Sequence, residues 1–321
     1  MKKRVLSFIT VVFMVLSSFV LNSYAAGIDK VDFNGVNDYS LEAQGINNWY
    51  YQYGNGTNYD KYGTMIISTG RWARLNDNNQ VANNIYRDSM QPNAGSYAWT
   101  ARVWVAPYDG VVNVGISGNL RRGSNASKAE ATARIAHTDK EFKEYTYENN
   151  ANGKLWTGTI GAGDTIGIEN AYNHEITVSK GDRLYFEVST SNISNGEIVW
   201  NPTVSYVQAV SFSVDNEIKD SINEIALGEA ITCEVYDKNT ITEPTSIFLV
   251  AYDELGRVRA MGNAATFDVS DDSIRKSEAT VTMPTLNDGE SYEGWKVGFM
   301  ALTQTIGRFY PTIPANTVFL K

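Results

Sequence analysis

The sequence predicts an all-β protein, with a jelly-roll-type β-sandwich followed by a smaller immunoglobulin- or fibronectin-like β-sandwich. Three observations predict this fold class. Short apolar or alternating runs are separated by Gly, Asn and Asp along most of the 321 residues, helical periodicity is weak, and 26 glycines supply turn positions. The spacing of the runs divides the chain into a leader, 1–25, a first sandwich, 26–207, and a second sandwich, 208–321.

The leader has the pattern of a secretory signal peptide. Lys2, Lys3 and Arg4 form a basic start, residues 5–21 are mainly apolar, and Ala25 ends a short polar stretch with a small residue suited to cleavage. A transmembrane anchor is the alternative, because about 17 apolar residues is the lower limit for a membrane span. We expect a secreted or cell-surface protein without membrane insertion after the signal is removed.

The first sandwich is predicted from about ten short strands. An aromatic strand at 47–53 ends at a Gly-Asn-Gly turn, and a long strand at 97–106 is followed at once by another at 111–117, which predicts a hairpin. Lys180-Gly181-Asp182 predicts a tight turn between two strands. Residues 127–135 fit one or two helical turns or an exposed strand.

The second sandwich is predicted from about seven strands in its shorter length, which suits an immunoglobulin-like fold. Its Cys233 is the one cysteine of the chain, so no intramolecular disulfide can form. Cys233 alternates with Ile231 and Val235, which predicts a buried small side chain.

The charge excludes some partners. The formal net charge is -9, and loss of the three basic leader residues would leave 24 basic against 36 acidic residues, or -12. A chain of this charge repels nucleic acid and anionic membranes, so neither is expected as a partner.

No catalytic site or cofactor is predicted. The chain has no Gly-x-Ser-x-Gly, phosphate-loop or dinucleotide motif, and His137 and His174 are expected to be solvated loop residues. The carboxylates at 141, 144 and 148 look like a solvated charged stretch. Asp77-Asn78-Asn79 and Asp271-Asp272 offer oxygen ligands to a structural calcium ion, but polar turns with this composition are common. The oligomeric state is not predicted.

The aromatic residues point to a binding surface, because six of the seven Trp lie in the first sandwich, more than one core needs. Aromatic planes meet the apolar face of a sugar ring, and Arg, Asn, Gln or Asp meet its hydroxyls. In the strand 97–106 the Val-rich face is expected in the core, with Arg102 and Trp104 on the outer side. The predicted sugar-binding residues are Tyr50, Tyr51, Gln52, Tyr53, Tyr59, Tyr62, Arg71, Trp72, Arg102 and Trp104. The alternative is that these rings pack cores, cover sheet edges or fill the domain interface.

Five segments carry a family resemblance: 45–53, 101–110, 155–156, 178–186 and 200–206. Their order resembles that of a β-sandwich accessory module, similar to carbohydrate-binding modules, in secreted bacterial carbohydrate-active enzymes and surface proteins. In such modules Trp-x-Ala-Pro-x-Asp-Gly marks a strand and hairpin and Lys-Gly-Asp marks a turn; these are fold signatures rather than sugar sites. The second sandwich resembles the bacterial immunoglobulin-like modules found beside them through residues 249–257, and departs from them at 299–302, where a Trp-containing strand is expected.

Three functions follow, in order of preference. The first is an exported, non-catalytic protein that binds a polysaccharide or cell-surface glycan, neutral or weakly basic, with the second sandwich as spacer or platform. The second is a structural or adhesive envelope protein whose aromatic residues form protein contacts. The third is a jelly-roll glycan hydrolase or lyase, which would need two carboxylates facing each other across the substrate.

Overall fold

The computed structural model describes residues 28–75, 81–93, 98–116, 119–123, 130–148, 153–161, 168–169, 173–190, 196–238, 245–262, 265–267, 276–287, 290–305, 308–311 and 319–320. Within these ranges the chain forms strands and three single-turn 3-10 helices, Ile46–Asn48, Tyr59–Lys61 and Ile222–Glu224. The predicted all-β class is confirmed. The leader 1–25 and both candidate calcium turns lie outside the described residues.

The strands, in chain order, are β1 Asp32–Asn34, β2 Trp49–Gly54, β3 Gly63–Thr64, β4 Ile66–Ser68, β5 Arg71–Leu75, β6 Val81–Ile85, β7 Ser89–Gln91, β8 Trp99–Val105, β9 Asp109–Ile116, β10 Asn119–Arg122, β11 Ala131–Thr138, β12 Trp156–Ile160, β13 Ile168–Glu169, β14 Asn173–Val178, β15 Arg183–Thr190, β16 Ile198–Val199, β17 Pro202–Val214, β18 Glu217–Ile218, β19 Ala230–Asp237, β20 Thr245–Tyr252, β21 Val258–Met261, β22 Ala265–Phe267, β23 Lys276–Thr282, β24 Lys296–Thr305, β25 Arg308–Pro311 and β26 Phe319–Leu320.

The strands pair into four antiparallel sheets. Sheet A has the order β14-β9-β17-β19-β23, with β1 and β18 also on β17; sheet B has the order β12-β11-β15-β8-β2-β3. Sheet C has the order β13-β10-β16-β7-β6-β5-β4; sheet D has the order β21-β20-β24-β25, with β22 on β20 and β26 on β24.

Two large hydrophobic cores result from this arrangement, together with a smaller cluster on the outer face of sheet B. Sheet B packs its inner face against sheets A and C around Trp49, Trp104 and Trp200, each at most 1% exposed. Sheet A also packs against sheet D in a second core, where Cys233 is fully buried and burial raises the pKa of its thiol. The buried environment predicted for Cys233 is therefore confirmed.

Strand β17 contributes to both cores. Tyr206 and Ala209 face the first core, whereas Val210 and Phe212 face the second, and a β-bulge follows Tyr206. No linker separates the two sandwiches, and the domain boundary drawn after residue 207 stays a prediction.

The predicted hairpin between residues 97–106 and 111–117 is wrong. Strand β8 lies in sheet B and β9 in sheet A, so residues 106–109 cross from one sheet to the other. Lys180-Gly181-Asp182 does form a turn, but it joins β14 of sheet A to β15 of sheet B. Hairpins and crossovers use the same turn residues, and strand pairing, which depends on distant partners, decides between them. The helix alternative at 127–135 also fails where the structure describes it, because β11 begins at Ala131.

Candidate binding groove

Four of the predicted sugar-binding residues lie in the first core. Trp104 and Arg102 are fully buried, and the rings of Tyr51 and Trp72, 1% and 3% exposed, stack at 5.0 Å between centroids. The expectation that Arg102 and Trp104 face outward is wrong, because their side of β8 faces the main core and the Val-rich side faces out. These rings fill the sandwich, as the alternative interpretation of the aromatic residues proposed.

Arg102 can lie in a core because its guanidinium has partners. It donates to the carbonyl oxygens of Gly35, Tyr86 and Arg87, the last two at 2.7 and 2.8 Å. Burial lowers the pKa of Arg102 to about 10, so the group stays charged at neutral pH. A charged residue in a strand therefore does not indicate that its face of the sheet is exposed to solvent.

Four other predicted residues meet on the outer face of sheet B. Tyr50 and Gln52 project there from β2, and Tyr59 and Tyr62 reach it from the loop that follows. Tyr59 and Tyr62 pack on the buried ring of Tyr185, at 4.5 and 5.5 Å between centroids. We call this surface, with the segment 55–62 over it, the roofed face.

The remaining two predicted residues lie apart from both groups. Tyr53 packs against the first core with the guanidinium of Arg74 over its ring. Arg71 lies on sheet C, where its Nε donates to Asn84 Oδ1 at 2.8 Å and its guanidinium lies over the ring of Tyr86. The ten predicted residues therefore do not form one surface.

The expectation that His137 is a solvated loop residue is also wrong. His137 lies in β11 and is 2% exposed. Its Nε2 lies 3.1 Å from Asp182 Oδ2, and its Nδ1 lies 2.7 Å from the hydroxyl of Tyr147. A carboxylate oxygen accepts, so the hydrogen atom between His137 and Asp182 lies on Nε2, while Nδ1 shares a hydrogen bond with the Tyr147 hydroxyl.

Asp182 belongs to the turn between β14 and β15, which is hydrogen-bonded to the segment that joins β8 to β9. Its carboxylate accepts from the Ser179 amide at 2.9 Å, and Gly181 takes the left-handed conformation (φ +89°) that the turn requires. The Gly181 amide donates to the Ala106 carbonyl, and the Ala106 amide donates to the Asp182 carbonyl, each at 2.8 Å. The Lys180 amide donates to Asp109 Oδ1. Backbone bonds thus fix the position of Asp182.

Tyr145 lies on this platform. Its ring packs on the His137 ring at 4.3 Å between centroids, its amide donates to the His137 carbonyl, and its hydroxyl lies 3.5 Å from Asp182 Oδ2. At 42% exposure, Tyr145 is the most exposed aromatic ring among the side chains that the structure describes.

Two adjoining cavities of about 430 and 410 Å³ share Tyr145, Ser179 and Asp182 in their walls. We call them together the Tyr145 groove. Its lining includes six carboxylates and three lysines: Asp109, Asp139, Glu141, Glu175, Asp182 and Asp220, with Lys140, Lys180 and Lys219.

The second sandwich builds one wall of the groove. Ser211 and Phe212 of β17, together with Asp220, line the larger cavity, as Tyr145 does. Lys180 Nζ bonds Asp220 Oδ1 at 2.5 Å between the walls. The Ser211 Oγ is buried and has no hydrogen-bond partner.

Sequence reasoning missed this groove because residues 141–148 looked like a solvated charged stretch. One signal could have found it: Ala131, Ala133, Ile135 and His137 alternate along β11, which places His137 on the core-facing side with the apolar residues. A histidine at such a position needs buried partners, which Asp182 and Tyr147 supply.

No group of three His, Cys, Asp or Glu side chains suited to a metal ion occurs within the described ranges. The helices that the structure describes are single turns, and none has the length to cross a membrane.

No family model and no curated protein match the chain. Among solved structures, the adhesin domain of Epf from Streptococcus pyogenes aligns over 92% of this chain and 96% of its own, with a TM-score of 0.29 and 11% identity. A putative β-galactosidase from Bacteroides fragilis aligns over 90% of this chain and 40% of its own, with a TM-score of 0.26 and 11% identity. A glycosyl hydrolase family 2 member from Bacteroides cellulosilyticus aligns over 85% and 34%, with a TM-score of 0.25 and 7% identity.

The chain thus spans about 40% or less of the length of these two glycosidases. At these TM-scores the alignments do not indicate a function. The function proposed below is based on the residues of the groove.

Proposed function

We propose that the chain is an exported, non-catalytic glycan-binding protein and that the glycan lies in the Tyr145 groove. The observation that carries the proposal is the exposed Tyr145 ring, which packs on His137 and borders two cavities with polar lining residues. An aromatic plane beside carboxylate and ammonium groups matches a sugar ring, which has an apolar face and a hydroxyl rim.

The excess of carboxylates over lysines in the lining favours a neutral or weakly basic glycan. Export remains a proposal based on the leader. The second sandwich is part of the site in this proposal, because its residues form one wall.

Affinity gel electrophoresis tests the proposal with laminarin, xylan and galactomannan as neutral glycans, chitosan as a basic one and polygalacturonate as an acidic one. We expect retardation by at least one neutral or basic glycan. The substitution Tyr145→Ala should weaken binding about tenfold through loss of the stacking plane.

Tyr252→Ala is the matched control, because Tyr252 is a half-buried tyrosine of sheet D that does not line the groove. If the wild-type chain runs unretarded in every gel, or if Tyr145→Ala binds as tightly as wild type, the proposal is wrong.

A further inference from the structure

The roofed face contains charges that the groove does not use. Glu187 of β15 is fully buried, and its Oε2 accepts from Arg134 Nε at 2.6 Å. The Arg134 guanidinium also lies 3.7 Å from the centre of the Trp99 ring. Burying such a pair costs several kcal/mol of desolvation per ion, and apolar residues would often be at least as stable in its place. A requirement other than stability would explain why the pair is there.

The roof over this pair is held by side chains. The hydroxyls of Tyr59 and Tyr62 both donate to Glu187, the first at 3.3 Å, and Arg134 donates to the Gly56 carbonyl. Burial first, and then the Glu187 charge, raise the pKa of both tyrosines well above the usual value, so both remain donors.

The backbone–backbone hydrogen bonds of segment 55–62 stay within it. The Lys61 amide donates to Asn58 and the Tyr62 amide to Tyr59, while Asn55 Oδ1 closes a local turn. The segment is the loop of the β2–β3 hairpin, folded back over the sheet. The Tyr59 and Tyr62 side chains, through their hydrogen bonds to Glu187 and their packing on Tyr185, therefore hold the segment, and their release would leave the β2–β3 ladder in place.

Unmet polar atoms flank the ion pair. One row across sheet B places Gln52, Ala101, Glu187, Arg134 and Thr157 side by side on neighbouring strands. Gln52 Oε1 and Thr157 Oγ1, at the two ends of this row, are buried and have no hydrogen-bond partner. Buried polar groups are normally satisfied, so a row with unmet atoms at both ends is suited to a polar ligand.

We propose that the roofed face is a second glycan site, closed in this structure by segment 55–62, whose Tyr59 and Tyr62 hydroxyls occupy the positions on Glu187 that sugar hydroxyls take when the segment opens. The row offers a carboxylate, a guanidinium and a carboxamide in one line, with the rings of Trp99 and Tyr185 beside them. The ion pair has no net charge, so the ligand is a neutral sugar. The proposal shares its ligand class with the groove but uses none of the groove's residues.

The test is made in a Tyr145→Ala background, where groove binding is reduced, so that the outcome does not depend on the groove. Tyr62→Phe removes one donor to a buried carboxylate, which should shift the closed-to-open equilibrium about tenfold. Trypsin should then cleave after Lys61 about ten times faster, and laminarin, xylan or galactomannan should bind about ten times more tightly. Adding Glu187→Gln should abolish the gain in binding.

Tyr252→Phe is the matched control, because Tyr252 is a half-buried tyrosine of sheet D that lies outside both the roofed face and the Tyr145 groove. Near-UV circular dichroism confirms that each variant is folded. Faster cleavage without any gain in binding would overturn the ligand site, and unchanged cleavage would overturn the opening of the roof. Equal gains in glycan binding from Tyr252→Phe and Tyr62→Phe would also overturn the proposal.

Discussion

The Tyr145 groove and the roofed face use similar chemistry on the same two strands, yet one is open and the other closed. Each centres on a buried carboxylate, Asp182 before β15 or Glu187 within it, and each carboxylate is bonded to a side chain of β11. The difference lies in the remaining donors. Asp182 receives a backbone amide of its own turn, whereas Glu187 receives two tyrosines from a loop.

This difference shows what decides accessibility. Backbone donors from a turn satisfy Asp182 from within the fold, which leaves Tyr145 free to face solvent. Loop donors satisfy Glu187 only when the loop lies over it, so the same hydrogen bonds that complete the site also close it. The predictions that follow test this contrast, beginning with the largest expected effect.

Removing Glu187 should destabilise the fold most. Glu187→Ala leaves Arg134 buried without its carboxylate, which should lower the free energy of unfolding by about 3–5 kcal/mol. Urea denaturation measures the change. The control Glu141→Gln alters an exposed carboxylate and should stay within about 0.5 kcal/mol of wild type. An equal loss of unfolding free energy in Glu187→Ala and Glu141→Gln would mean that the buried Glu187–Arg134 pair contributes no more to stability than an exposed carboxylate.

Removing His137 should have a smaller effect on stability and a direct one on the groove. His137→Ala loses two hydrogen bonds and the ring under Tyr145, so the free energy of unfolding should fall by about 2–3 kcal/mol. Glycan affinity should fall as well, because Tyr145 loses its support. Tyr147→Phe, which removes one of the two bonds, should cost about 1 kcal/mol. A His137→Ala chain with wild-type affinity would show that Tyr145 does not need the platform.

Breaking the Lys180–Asp220 bridge should separate stability from binding. Both side chains are partly exposed, at 35% and 64%, so Asp220→Asn should change the free energy of unfolding by less than about 1 kcal/mol. Glycan binding should nevertheless weaken a few-fold, since the bridge connects the two walls of the groove. Thermal unfolding and affinity gels on the same samples distinguish the two effects, and a large stability loss with intact binding would contradict the assignment.

The smallest effect concerns pH. Burial raises the pKa of Asp109 above its ordinary value of 3.8, so the folded chain favours the protonated carboxyl. That contribution to stability is present below about pH 3.8 and is lost as the pH rises through the folded-state pKa. Asp109→Asn keeps an acceptor for the Lys180 amide and cannot ionise, so its stability relative to wild type should increase with pH over this window. Unfolding curves from pH 3 to 7 test the sign, and a relative decrease would contradict it.

The sequence predicts the strands better than it predicts their partners. The fold class and many strands follow from alternation, as in β15, where Leu184 and Phe186 face the core and Tyr185 and Glu187 face out. The crossover at 106–109 could not be distinguished from a hairpin, because the same turn residues serve both and the pairing partners are distant in sequence.

The candidate site was harder to predict, because β8 is buried on both faces. The terminal nitrogens of Arg102 donate to three backbone carbonyls that no local pattern reveals, while the outer face is covered by Tyr59 from another loop. A high aromatic content is therefore as compatible with buried residues on both faces of sheet B as with an exposed binding surface. Tyr145 lies in a charged stretch, and its role depends on His137 beneath it.

Strand β17 also determines how the molecule would respond to a mechanical load. It pairs with β9 over residues 202–210 and with β19 over 208–213, so the two ladders overlap and no flexible joint lies between the sandwiches. If a bound glycan pulled on one sandwich while the other was anchored, the tension would pass along one backbone and shear both ladders together. We therefore expect the two sandwiches to move as one rigid body and to unfold together, so that the width of the Tyr145 groove stays constant under tension.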